Sequence, residues 1–357
     1  MAGVASRDVR ADWRVAMVIP LQGPAGLFGP SCEAITELAA RELNAEGGIL
    51  GREVSFEVVD GGGAPDRVAA ELRGLVDAGQ VDAVSGWHIS SVRNAIAPVV
   101  AGRLPYVYTS LYEGGERRPG IFCCGETPRT QLAPALKWLR DNVGARNWFV
   151  VGDDYVWPHT SAAAVRGYAH QLDLRIVGEA FVRLGVGDTT RLVREVERSS
   201  CDGVLMLLVG QDAVEFNRRF AARGLHERLV RFSPLMEENM LLASGLGATR
   251  NLFVSAAYFR SMVNADAMDL LGRYVALHGS DAPALNNAAE SCYEGLRTLA
   301  SLVRRAGTAR LPELNAAIDG VAYHGPRGTV EFHGPQAEQY VHLAVADGYD
   351  FDVITRL

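Results

Sequence analysis

Residues 83–110, AVSGWHISSVRNAIAPVVAGRLPYVYTS, decide the fold. Ala83–Gly86 is a short apolar run that ends on a glycine. Ser90-Ser91 offers an N-cap, and Val92, Ala95, Ile96, Val99 and Val100 then recur at helical spacing, which predicts a helix with one buried face. Pro98 stands inside that stripe and allows a kink. Gly102 closes the helix, and Pro105–Tyr108 opens a second strand rich in β-formers. Strand, helix and strand in this order predict a parallel pair. The loops after the two strands, Trp87–Ser91 and Tyr108–Tyr112, then lie side by side, at the edge where open α/β sheets bind ligands. Free N–H groups at the helix start favour a carbonyl or carboxylate there.

The same alternation runs outward in both directions. Upstream, Arg14–Pro20 reads as a buried strand, followed by a Gly/Pro-rich loop over 21–30 and a helix carrying Ile35, Leu38, Ala39 and Leu43. Gly51–Val59 alternates as a strand, and Asp66–Ala78 is an amphipathic helix. Downstream the pattern pauses at Gly125–Arg129 and restarts. Helices are expected over 131–142, 162–172, 190–199 and 211–222, with strands over 148–152, 175–182, 203–208 and 230–232. The class is α/β, built as two doubly wound, Rossmann-like lobes. Thr249–Ala256 reads as a strand returning to the first lobe, followed by helices over 265–278 and 288–306. Gly328–Phe332 and Tyr340–Ala346 read as antiparallel strands around His333-Gly334-Pro335. The expected division is 1–127 plus 250–327 for one lobe and 128–249 plus 328–357 for the other. The chain would cross three times between them in a hinge, with the ligand cleft between the lobes.

A chain of 357 residues is too long for one ordinary core, in keeping with two lobes. The formal charge of −7 comes without a basic patch, which argues against direct contact with nucleic acid. No apolar run is long enough to insert in a membrane. Cys32, Cys123, Cys124, Cys201 and Cys292 show no framework spacing and read as buried free thiols. Residues 1–13 lack an apolar targeting core, so a cytoplasmic location is expected, or a periplasmic or extracellular one if a signal has been removed. CxxC, HExxH, Walker and GxSxG patterns are all missing, so no metal, no cofactor and no enzymatic activity are expected. Asp60-Gly61-Gly62-Gly63 lacks the lysine of a phosphate loop and reads as a turn. Asp153 and Asp154 are adjacent in extended chain, face opposite ways and make no carboxylate pair.

Several segments together resemble a known family: ELNAEGGILGR at Glu42–Arg52, Gly86–Ser91, YTSLYEG at Tyr108–Gly114, GDDYVWP at Gly152–Pro158 and the Gly328–Phe332 tail. The pattern is similar to the type I periplasmic-binding-protein fold, in the branch that binds branched-chain amino acids, amides and urea. Tyr112–Gly114 with Asp154–Pro158 resembles the cytoplasmic amide-sensing members of that branch. The resemblance implies that Ser90 hydrogen-bonds the carbonyl or carboxylate of the ligand. It also implies that Tyr108 and Ser110 supply further contacts and that Tyr155, Trp157 and Val209 face them from the second lobe. His88 falls where the amide sensors carry tyrosine, and Glu237 where amino-acid and urea binders place an acid. Read from the residues alone, Ser90 and Ser91 are equally helix caps, Glu237 with Glu238 a solvated helix start, and the aromatics lobe packing. The expected function is that of a non-catalytic binding protein. It would sense an amide, urea-like compound or amino acid by lobe closure and regulate a partner protein. The alternative is a substrate-binding receptor of an ABC importer. Homo-oligomerisation is left open.

Overall fold

The computed structural model describes residues 11–357; most of the segment read for targeting signals lies outside them. The chain begins with the predicted alternation. β1 (Asp12–Ile19), α1 (Gly29–Ala45), β2 (Glu53–Asp60), α2 (Pro65–Asp77), β3 (Ala83–Gly86), α3 (Ser90–Val100), β4 (Tyr106–Tyr108) and β5 (Ile121–Cys123) build the first lobe. The second follows with α4 (Pro128–Asn142), β6 (Asn147–Asp153), α5 (Val156–Gln171), β7 (Arg175–Val182), α6 (Thr190–Arg198), β8 (Gly203–Leu207), α7 (Gln211–Ala222), β9 (Val230–Ser233), α8 (Glu238–Ser244) and β10 (Leu252–Ala256). The chain then returns with α9 (Ala265–His278), α10 (Asn287–Ala306), α11 (Leu311–Ala317), β11 (Ala322–Gly325), β12 (Gly328–His333) and β13 (Gln336–Glu338), and ends in β14 (His342–Asp347) and β15 (Asp350–Arg356). β3 and β8 are buried at every residue, as strands covered by helices on both faces must be.

The first sheet has the order β11-β12-β13-β5-β4-β3-β1-β2 and the second β15-β14-β10-β9-β8-β6-β7. Each is a parallel core finished by antiparallel strands at one edge. Two sequence expectations are corrected here. The strand over 252–256 does not return to the first lobe. It follows α8 in a crossover and pairs parallel with β9, Leu252 against Arg231, so the adjacent strand wins over the distant one. Nor do the tail strands form one ribbon. β12 turns through Gly334-Pro335 onto β13, which joins β5 at Gln336 and Cys123, whereas β14 pairs with β10, Phe253 against Val345. Residues 250–256 therefore belong with the second sheet and 328–338 with the first, and the expected boundaries at 250 and 328 move accordingly. The three crossings survive, at residues 124–127, 257–264 and 339–341. All five cysteines are buried and unpaired.

The crossings are joined through buried polar groups on α10. Glu126 of the first crossing accepts the Ala257 N–H at 2.8 Å from the second, and the Asn287 amide at 3.2 Å from α10. Asn287 in turn accepts the Tyr258 N–H at 3.0 Å. In the third crossing the Gln339 amide donates to the Cys124 carbonyl at 2.7 Å, and its oxygen accepts from Arg327 at 2.9 Å. The Arg327 guanidinium, wholly buried, also pairs with Glu290 on α10, with Nε 2.7 Å from Oε2. Glu290 keeps its other oxygen unpartnered among the described residues, as Glu294 one turn on keeps both.

Candidate functional site

The loop after β3 is held by its backbone. The His88 N–H donates to Ser110 Oγ at 2.8 Å, and the His88 carbonyl accepts from Ser110 Oγ at 2.7 Å and from the Tyr108 hydroxyl at 2.8 Å. Its side chain is turned inward. Nδ1 lies 2.9 Å from the Val18 carbonyl, which can only accept, so Nδ1 carries the proton and Nε2 accepts from the Tyr106 hydroxyl at 2.6 Å. Burial pushes the His88 pKa down to about 3, so the ring is neutral. His88 thus reaches the core of the first lobe and leaves the cleft to its neighbours. Tyr108 and Ser110 are brought together with it, as a clasp on its peptide.

That clasp delivers Ser90 to the first turn of α3. The N-cap position is Ile89, and no side chain caps the helix, which sets aside the reading of Ser90-Ser91 as a cap. Ser90 Oγ is buried with no hydrogen-bond partner among the described residues. A buried orphan hydroxyl costs on the order of 1–3 kcal/mol unless something satisfies it. It sits beside the N–H groups that open an eleven-residue helix.

The second lobe supplies the facing wall. β6 ends on Asp153, and Tyr155 occupies the N-cap position of α5, with Trp157 next to it at 6.3 Å between ring centroids. Burial first, then Asp153, Tyr108 and Glu113, raises the Tyr155 pKa. Asp153 is buried and Asp154 exposed, as expected of neighbours in extended chain. Asp153 Oδ2 accepts the Val209 N–H at 2.7 Å, while Oδ1 has no partner among the described residues. Burial and the nearby Asp212 push the Asp153 pKa well up. Asp212 accepts the N–H groups of Gly185 at 2.6 Å and Gly187 at 3.2 Å. The two aspartates therefore fix the loops that meet the first lobe.

The lobes touch where those loops arrive. A Cβ at Gly210 would stand 1.9 Å from the Pro24 carbonyl oxygen, and one at Gly185 would stand 3.0 Å from the Pro24 ring. Asn239 donates across the gap to the Leu27 carbonyl at 2.6 Å. A small cavity of about 110 Å³ remains, bounded by Gln22, Ala25, Ile89 and Ser91 on one side and Leu184 and Val209 on the other.

Glu237 points elsewhere. Its carboxylate accepts the Asn287 N–H at 2.8 Å at the start of α10, and burial, then Glu238 and Glu126, raise its pKa. Glu238, far from a solvated helix start, is buried and accepts the Arg260 N–H at 2.8 Å, and burial raises its pKa to about 7. Sequence reasoning missed Pro24, Gly185 and Gly210 as closing contacts and Asp153 with Asp212 as their supports. An acid closing a wholly apolar strand was the available signal for Asp153.

The family described as periplasmic binding protein matches residues 12–348. Among solved structures, a solute-binding protein of an ABC transporter from R. palustris, in complex with benzoate, superposes with a TM-score of 0.85 at 19% identity, covering 97% of this chain and 96% of that one. The branched-chain amino acid transporter substrate-binding protein LivJ from Streptococcus pneumoniae, in complex with isoleucine, gives 0.82 at 16% identity over 96% and 99%. The Leu/Ile/Val-binding protein BraC3 of Rhizobium johnstonii is 29% identical over 105 residues, 29% of this chain; the chain spans about a quarter of the length of that curated relative.

Proposed function

The chain belongs to the periplasmic binding protein family, and on that premise we propose that it is a non-catalytic receptor that closes two lobes around a compact polar solute for an ABC importer. The observation that carries the reading is Ser90: an unsatisfied buried hydroxyl at a helix N-terminus, between Ile89 and Ser91, which line the small cavity between the lobes. Ser90, Tyr155, Trp157 and Val209 contact the solute, while His88, Tyr108 and Ser110 hold the Ser90 loop in place. Contacts from both lobes exist together only when the lobes meet, so the solute favours the closed form. The roles of these relatives in ABC transport support delivery to a transporter over regulation of a partner protein, and a periplasmic setting goes with that role.

The solute is small. The cavity between the lobes, lined by Val209 and by Ile89 and Ser91 on either side of Ser90, holds about 110 Å³, well below the roughly 300–1,000 Å³ of sites for drug-sized ligands. The Glu237 carboxylate is committed to α10, and burial and Asp212 push the Asp153 pKa well up, so neither acid favours an ammonium group; this supports a neutral amide or urea-like compound over an amino acid. Thermal-shift measurements with acetamide, urea, leucine, isoleucine and valine test this. A ligand at ~100 times its dissociation constant adds about 2.7 kcal/mol to stability. Ser90→Ala abolishes the shift and leaves the ligand-free melting temperature unchanged or higher, because it removes an orphan hydroxyl. A cap would instead cost about 0.5–2 kcal/mol on substitution. Shifts that survive Ser90→Ala, or a panel without any shift, refute the proposal.

A further inference from the structure

A second, larger cavity of about 520 Å³ lies on the flank of the hinge, and none of the residues assigned to the cleft lines it. Tyr112, Glu113, Glu116 and Arg117 reach it from the loop after β4, Arg129 from the start of α4 and Tyr168 from α5, with Gln336 of β13 beside them. It therefore has walls from both lobes. A groove along Gly114–Pro119 continues it toward Arg93.

The charges of this region do not cancel. Arg93 is buried and pairs with both Glu113 and Glu116. Glu116 also pairs with Arg118 at 2.9 Å and accepts the N–H groups of Arg117 at 3.0 Å and Arg118 at 2.9 Å. The two acids are thus met by Arg93 of α3 and by Arg118, while Glu113 keeps one oxygen without a partner among the described residues. The Arg117 side chain has no acidic partner among the described residues, and Arg129 meets Glu338 only at 3.4 Å between two exposed side chains. The Tyr112 hydroxyl donates to Gln336 Oε1, so its ring is fixed as a wall, with Pro128 and Pro335 beside it. What remains is a pocket with apolar walls and an exposed arginine from each lobe, Arg117 and Arg129.

The geometry points to this cavity as a second binding site, for a ring-sized organic anion with two carboxylates. Its volume suits a small organic molecule, the tyrosine and proline walls suit an apolar body, and Arg117 and Arg129 suit negative charge at two positions. Because the walls come from both lobes, the anion favours their closed arrangement. It then tightens the cleft for its own solute by the same factor that the solute tightens this pocket for the anion.

Phthalate serves as the probe, titrated calorimetrically into the full chain. Wild type binds it saturably at one site, and Arg117→Ala/Arg129→Ala weakens it at least tenfold. Both side chains are exposed, so the melting temperature of that variant stays at the wild-type value; Arg117→Glu/Arg129→Glu abolishes binding. Ser90→Ala binds phthalate as wild type does, which separates this site from the proposed cleft whatever the cleft holds. Equal affinity in the arginine variants, loss of binding in Ser90→Ala, or an absence of saturable heat overturns the inference.

Discussion

Replacing Arg327 by methionine tests the reading that one buried ion pair holds the hinge. Both Arg327 and Glu290 are wholly excluded from solvent. Glu290 already has one unpartnered oxygen, so losing the guanidinium leaves a buried carboxylate with no countercharge in contact. Removing one member of such a pair costs about 3–5 kcal/mol, much of it from the charge left behind. The unfolding entropy of roughly 2.1 cal/mol/K per residue, scaled to 357 residues, is about 0.75 kcal/mol/K. The expected fall in melting temperature is therefore about 4–7 °C. The deficit depends on pH. Burial already raises the Glu290 pKa beside Arg327, and losing the guanidinium raises it further above its unfolded value, so the added penalty is full well above both and disappears as pH falls toward about 4.5. Arg327→Met/Glu290→Met removes both charges and recovers at least half of the loss, since replacing both members of a buried pair is often neutral. Differential scanning calorimetry of the two single variants and the double variant at pH 7 and 5 decides the matter. A change under about 1 °C in Arg327→Met, or a double variant as unstable as the two singles combined, refutes the reasoning.

Two further perturbations follow from the same geometry. Gly210→Ala places a methyl group against the Pro24 carbonyl of the opposite lobe, at a backbone φ of +48°; the lobes then stop short of contact, and solute affinity falls at least tenfold. Small-angle scattering in the presence of solute shows a larger radius of gyration than wild type, and an unchanged affinity would remove Pro24–Gly210 as a closing contact. Glu238 has its pKa raised to about 7 by burial, above its unfolded value. Its contribution to stability therefore falls as pH rises from about 4.5 to 7, by up to about 1.4 kcal/mol per unit. Glu238→Gln removes that slope, and superimposable melting-temperature profiles of variant and wild type between pH 5 and 7 would contradict it.

The lobes were legible because their strands are short apolar runs between amphipathic helices, a local signal at Arg14–Pro20 and again at Gly203–Leu208. Which sheet a late strand joins was not legible in the same way. Leu252–Ala256 has the composition of a buried strand in either lobe, and only its pairing with β9 decides. The Ser90 loop was found from its place between strand and helix, but the inward turn of His88 depends on Val18 and Tyr106, distant in sequence. Glu237 and Glu238 look like a solvated helix start until the packing of α10 and Arg260 against them is known. The hinge acids left a trace that was passed over. Glu290 and Glu294 stand one turn apart on the side of α10 that also carries Asn287, Ser291 and Thr298, opposite the apolar side of Ala288, Ala289, Cys292 and Leu296, yet all of them are buried.

The register of Gln336 beside Cys123 also sets an order of assembly. As the chain emerges during synthesis, β1 to β5 can form a sheet early, but the outer edge of β5 stays unpaired until β13 has been made. The parallel strands β6 to β10 lie within one continuous stretch and need nothing from the other lobe to pair with one another. Both cores therefore wait with an open strand edge, β5 for β13 and β10 for β14, the kind of surface that recruits other chains. Aggregation during refolding should begin at these edges, and a peptide carrying the β12–β13 hairpin is the natural agent to cover the one on β5.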